Sequence, residues 1–137
     1  GMTPIEMVDV VPRKTGATVL WGGRIADIRV LERELEIGVL AFPLDAYGEP
    51  EDEEAFQGRF AARYRITPEA YRYGPGRLIT IHGRVDSFEE IPIGQGRQTV
   101  PVVVPIQTEL WDVPTANRPA LGWWPFWHVQ INVMGGF

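Results

Sequence analysis

The chain contains no cysteine, which excludes disulfides, a thiolate nucleophile and cysteine-based metal sites. It leaves the compartment open, because an exported protein can also do without disulfides. Serine is reduced to Ser87, outside any G-x-S-x-G elbow. The two histidines, His82 and His128, are far apart and show neither HxH nor HxxxH spacing, so nothing local suggests a zinc site. A His82–Asp86–Ser87 relay fails on strand geometry, since Ser87 points away from the side shared by the other two. There is no phosphate-binding loop and no dinucleotide fingerprint. Paired carboxylates in contrasting environments, which acid–base chemistry needs, are not evident either. The expectation is a protein that is not an enzyme and uses no cofactor and no metal. No run approaches the roughly 18 apolar residues of a membrane span, and no signal segment opens the chain. Lys14 is the only lysine, so positive charge is almost all arginine. The net charge of −5 argues against nucleic acid, whose binders usually carry a basic surface.

What is present fits one domain. Fifteen glycines and twelve prolines in 137 residues suit a turn-rich β protein better than a helical one. Residues 2–17 read as an irregular lead-in that docks on the domain. The organising stretch follows, Val19 to Val30. Val19, Trp21 and Ile25 share one strand parity, whereas Ile28 and Val30 fall on the other. One extra residue between them, together with Gly22 and Gly23, predicts a bulged, bent strand of a small closed barrel. Further strands are predicted at Glu34–Leu44, Gly58–Ile66, Arg77–Phe88 and Thr99–Trp111. The second is apolar on both faces, and Pro101 and Pro105 mark the fifth as an edge or bulged strand. Residues 89–98 read as a glycine-rich connection. Thr67-Pro68-Glu69 carries helix-start chemistry, giving one short helix that Gly74-Pro75-Gly76 ends, with Tyr71 and Tyr73 plugging the barrel. Five strands with a helix between the third and fourth is the element order of an OB-fold.

Three stretches carry candidate contacts. Arg59, Arg63 and Arg65 line one face of the third strand, and guanidinium forks match phosphate or carboxylate. The favoured reading is salt bridging with the acidic loop upstream; the sharper one is an anionic ligand. The run Glu49-Pro50-Glu51-Asp52-Glu53-Glu54 lacks the D-x-D-x-D-G pattern of a calcium loop and reads as a solvated loop. The tail from Asp112 to Phe137 concentrates Trp123, Trp124, Phe126 and Trp127. It has three readings: packing back over the second strand, which is favoured; exposure toward a partner or membrane headgroups; or stacking of sugars or bases.

The ordered set V-L-W-G-G-R-I (19–25), P-L-D-x-x-G-x-P (43–50), G-R-F (58–60), Y-x-P-G-R-L-I-T-I-x-G-x-V (73–85), P-V-V (101–103) and L-W (110–111) resembles the Slp family of starvation-inducible outer-membrane lipoproteins of Gram-negative bacteria. The resemblance implies export and a lipid anchor on an N-terminal cysteine. This sequence departs there, having none, and Gly1 before Met2 reads as a cleavage scar. The resemblance supplies no catalytic residues. The expected organisation is therefore a tether at 1–17, an OB-like barrel at 18–111 and a Pro/Trp-rich extension at 112–137. The expected role is a non-enzymatic cell-envelope lipoprotein domain on the periplasmic side of the outer membrane, binding a protein or glycan partner. An OB-type module for an anionic glycan or oligonucleotide is the alternative, and self-association a further one.

Overall fold

The computed structural model describes residues 2–51, 55–65 and 72–111. A helix, α1 (Pro4–Asp9), precedes five strands: β1 (Thr18–Val30), β2 (Glu34–Phe42), β3 (Arg59–Arg65), β4 (Leu78–Ile93) and β5 (Gly96–Leu110). They close into a barrel in the order β1-β2-β3-β5-β4. All neighbours are antiparallel except β3 and β5, which run parallel. This is the closed five-stranded topology of an OB-type barrel. The expected helix at 67–71 and the expected tail at 112–137 lie outside the described residues.

β1 closes the barrel because it pairs on both sides, its first half with β4 and its second with β2. The predicted extra residue is Ala26: the register with β2 slips between Ile25 and Asp27. The slip turns Ile28 and Val30 inward on the opposite parity, so Trp21, Ile25, Ile28 and Val30 all reach the core. Gly23 serves a different need. It faces the β2 backbone so closely that any Cβ would meet the main chain of Leu40 and Ala41. The core itself is built from inward residues of every strand, with Ile37, Val39, Phe60, Ala62, Ile79, Ile81, Val85 and Val103 excluded from solvent.

Several boundaries differ from expectation. The lead-in is helical, not irregular: Thr3 and Glu6 form a reciprocal capping box, with Pro4 at the helix start. Met7 of α1 joins the barrel core beside Val19 and Trp21, while Ile5 N donates to Gln57 O at 3.2 Å. β2 ends at Phe42 because Pro43 cannot extend the ladder; Leu44 instead bridges to Pro50. Residues 89–98 are mostly strand, and the turn shrinks to Gly94-Gln95, with Gly94 at φ +59°. β5 does not keep one parity. Two register slips against β4, at Ile106 and at Asp86, bury Val100, Val102 and Val103 while leaving Val104 and Ile106 exposed. Toward the end of β3, Tyr73 packs at a tilt on Tyr64 with ring centres 5.1 Å apart, and both lie half-buried against the core; Tyr71, the other expected plug, lies outside the described residues.

Candidate functional site

The β2–β3 face is where barrels of this topology present ligand-binding side chains, flanked by the β1–β2 and β4–β5 turns. Register decides what meets there. Arg29, Glu36 and Arg63 lie directly across from one another on β1, β2 and β3. Arg29 donates to Glu36 at 2.6 Å, and Arg63 Nε donates to its other oxygen at 2.9 Å. Arg63 also pairs with Glu89 of β4. Glu36 is only 7% exposed, and its two charge-assisted partners are what make burial of that carboxylate tolerable. Burial alone would push the Arg63 guanidinium down, but its hydrogen bonds to Glu36 and Glu89 win and hold its pKa above the ordinary arginine value.

Arg59 reaches Asp27 at 3.4 Å. The path crosses Gly38, where an added Cβ would stand 3.1 Å from Asp27 Cγ and 3.4 Å from Arg59 Nη1. The missing side chain at Gly38 therefore opens room for that bridge. Arg65, opposite Glu34, is exposed and makes no ion pair among the described residues. The three arginines share one side of β3, and among the described residues none of them pairs with Glu49 or Glu51 of the upstream acidic loop. Their partners are Asp27, Glu36 and Glu89, brought in from β1, β2 and β4, whereas the acids at 52–54 lie outside the described residues. Trp123, Trp124 and Trp127 lie outside them too.

Beside this face, α1 and the β4–β5 hairpin enclose a groove of about 320 Å³ lined by Arg13, Arg59 and Arg97 together with Asp9. Arg13 Nε donates to Val8 O at 2.9 Å and its guanidinium lies over Phe88; Arg97 makes an exposed pair with Glu90 at 3.3 Å. Sequence reasoning missed Arg13 and Arg97. Only the pairing of strands to a tight turn, and the helix in the lead-in, bring them to Arg59.

Other hydrogen bonds tie the barrel together. Thr80 Oγ1 donates to Gly48 O at 2.6 Å and accepts from Trp111 Nε1 at 3.0 Å, strapping the loop after β2 across the barrel wall. His82 sits outside the wall, across from Leu20 and Gln107. Every buried side-chain polar atom among the described residues has a hydrogen-bond partner. Among those residues, no three His, Asp or Glu side chains gather as a metal site would require.

Over residues 3–133 the chain matches the Outer membrane lipoprotein Slp family. It belongs to that family. Outer-membrane association therefore follows for this Slp-family domain, in agreement with the resemblance carried by its motifs. No curated protein matches it. Among solved structures it is similar to the mitochondrial single-stranded DNA binding protein Rim1 of S. cerevisiae, at 12% identity and a TM-score of 0.47, covering 72% of this chain and 98% of that one. The assignment to an OB-type barrel rests on the strand order and pairing described above.

Proposed function

We propose that this Slp-family domain is a non-enzymatic module of the outer membrane, lipid-anchored on the periplasmic side, that holds a protein or other envelope component. Its contacts are Arg65 at the rim of the β2–β3 face and the tail tryptophans Trp123, Trp124 and Trp127, with Arg59 and Arg63 shaping the face. The observation that carries this reading is the family match across nearly the whole chain. The internal pairing of Arg59 and Arg63 supports it further. Neither guanidinium is poised on a reacting group, and both stiffen the surface from which Arg65 projects.

The test uses the natural gene with an epitope tag in a Gram-negative host. Incorporation of labelled fatty acid, recovery in the outer-membrane fraction, and resistance to protease until the envelope is opened are the expected results. Recovery of an unlabelled protein in the soluble fraction would sink the reading.

One observation favours the second reading, an anionic glycan: the groove that gathers Arg13, Arg59 and Arg97 on an otherwise acidic chain. Titration with an acidic oligosaccharide at two salt concentrations addresses it. Binding that weakens at higher salt and is lost in an Arg13→Gln/Arg97→Gln variant is the positive outcome. Oligonucleotides are disfavoured by the net charge of −5.

A further inference from the structure

At the α1 end of the barrel, a groove of about 600 Å³ runs between the start of the chain and the strand pair β1–β2. Twelve residues line it and none is charged, although 23% of the chain is. Its apolar lining includes Met2, Leu20, Trp21, Phe42 and Leu44. Leu20 stands on the outer side of β1 with 58% of its surface exposed, and Met2 is 40% exposed. Phe56, half exposed, packs its ring against Phe42 at 6.1 Å. The Arg24 guanidinium lies over the Phe42 ring at 5.9 Å, but no charged residue lines the groove itself, and an apolar patch rimmed by large apolar side chains marks an interaction surface.

The start of the described chain identifies what faces it. Trp21 Nε1 donates to the Met2 carbonyl at 2.8 Å, and the capping box holds the next turn. Residue 2 is therefore fixed at the groove, whose lining it shares with Leu20. On the anchored reading proposed above, the lipid would be attached ahead of residue 2, on the side of this groove.

We infer that this groove and its rim of Met2, Leu20 and Phe56 are the membrane-facing surface of the domain, seated on the headgroup and acyl boundary of the bilayer. The inference rests on the anchored reading above and deepens it with an orientation. Anchoring makes weak contacts sufficient, because a short tether holds the domain at an effective concentration of order mM at the surface. Apolar side chains inserted to the depth of the headgroup boundary then set the angle. The opposite end of the barrel, with Glu32, Arg33, Glu34 and Arg65, faces away from the bilayer.

The absence of cysteine makes the test clean. Single variants Leu20→Cys, Phe56→Cys and Glu32→Cys of the full 137-residue chain are labelled with an environment-sensitive fluorophore. Each is tethered by an N-terminal histidine tag to zwitterionic vesicles carrying a nickel-chelating lipid. Expected are brighter, blue-shifted emission and protection from an aqueous quencher at positions 20 and 56 upon tethering, with no change at 32. A Leu20→Asp substitution is expected to abolish the shift at 56 while leaving the far-ultraviolet dichroism unchanged. Equal responses at all three positions, or none, overturn the inference. So does emission at position 20 that is already shifted without vesicles, which assigns the groove to the chain's own tail or to a second copy. The artificial tether separates this outcome from the anchored reading: natural acylation does not enter the measurement.

Discussion

Replacing Gly23 by alanine adds one carbon where the structure has no room for it. That carbon would stand 2.7 Å from the carbonyl carbon of Leu40 and 2.9 Å from Ala41 Cα, and would overlap the Leu40 carbonyl oxygen outright. All three are main-chain atoms, so no side chain can swing aside. Gly23 also pairs with Ala41 on one side and with Ile79 on the other, which means that retreating from β2 pushes β1 into β4. Overpacking strain of about 1–3 kcal/mol adds to the loss of one or two ladder hydrogen bonds at about 1 kcal/mol each. The expected destabilisation is about 3–5 kcal/mol, a large part of the roughly 5–15 kcal/mol available to a domain. At this chain length that corresponds to a fall in Tm of about 10–20 °C. Gly23→Val, with two further methyl groups, is expected to yield no folded protein. Gly96→Ala is the control, since its nearest neighbour would be 3.8 Å away and a change within about 0.5 kcal/mol is expected there. Thermal unfolding followed by circular dichroism decides the matter: a Gly23→Ala variant melting within about 3 °C of the parent would refute the close-approach account.

Glu36→Ala strips Arg29 and Arg63 of a shared, buried partner; about 2–3 kcal/mol should be lost, below the full value for a buried pair because Arg29 is half exposed. Urea unfolding at constant m-value measures this, and a loss under about 0.5 kcal/mol would mean the network contributes nothing. Thr80→Val removes both the bond to Gly48 and the acceptor for Trp111, with an expected cost of about 1–3 kcal/mol; an unchanged urea midpoint would contradict it. Tyr64 is partly buried, and that desolvation raises its phenol pKa, opposed by a 2.8 Å hydrogen bond with Thr108. The folded state thus holds the proton more tightly than the unfolded one, so the stabilisation is complete below the free tyrosine value of about 10 and declines as pH climbs above it. Melting temperatures between pH 8 and 11.5 should fall more steeply for the parent than for Tyr64→Phe, and parallel curves would count against the assignment.

Much of the barrel was legible because inward and outward residues alternate on a fixed period. The parity change between Ile25 and Ile28 located the bulge at Ala26 within one residue. β5 resisted the same treatment. In V-P-V-V-V-P-I nearly every position is apolar, so the pattern carries no phase, and two register slips against β4 decide which valines are buried. The helix at Pro4–Asp9 is too short for periodicity to reveal, although Thr3-Pro4-Ile5-Glu6 holds a capping-box signature that was there to be read. The arginine face was legible as a face. Its partners were not, because Glu36 and Glu89 arrive through strand register and a long hairpin, neither of which local composition determines.

The two surfaces of the domain differ in their chemistry. On the β2–β3 face, Arg59 and Arg63 are answered by Asp27, Glu36 and Glu89, so an incoming anion would have to displace carboxylates already within hydrogen-bonding distance. Breaking such a pair costs more than a surface contact returns. On the proposed reading, the approach of a ligand to this face is therefore governed by shape and by the rim at Arg65, which makes no ion pair among the described residues. β3 carries that rim six residues beyond Arg59, a span of roughly 20 Å at strand rise. At the other end, the uncharged groove presents no ion to desolvate and so suits an apolar boundary. A barrel seated by that end would carry Arg65 and the β1–β2 turn clear of the headgroups. On the proposed orientation, the ion-pair lattice would hold the β2–β3 face rigid away from the bilayer, and the uncharged groove lining would leave no charge to desolvate against it.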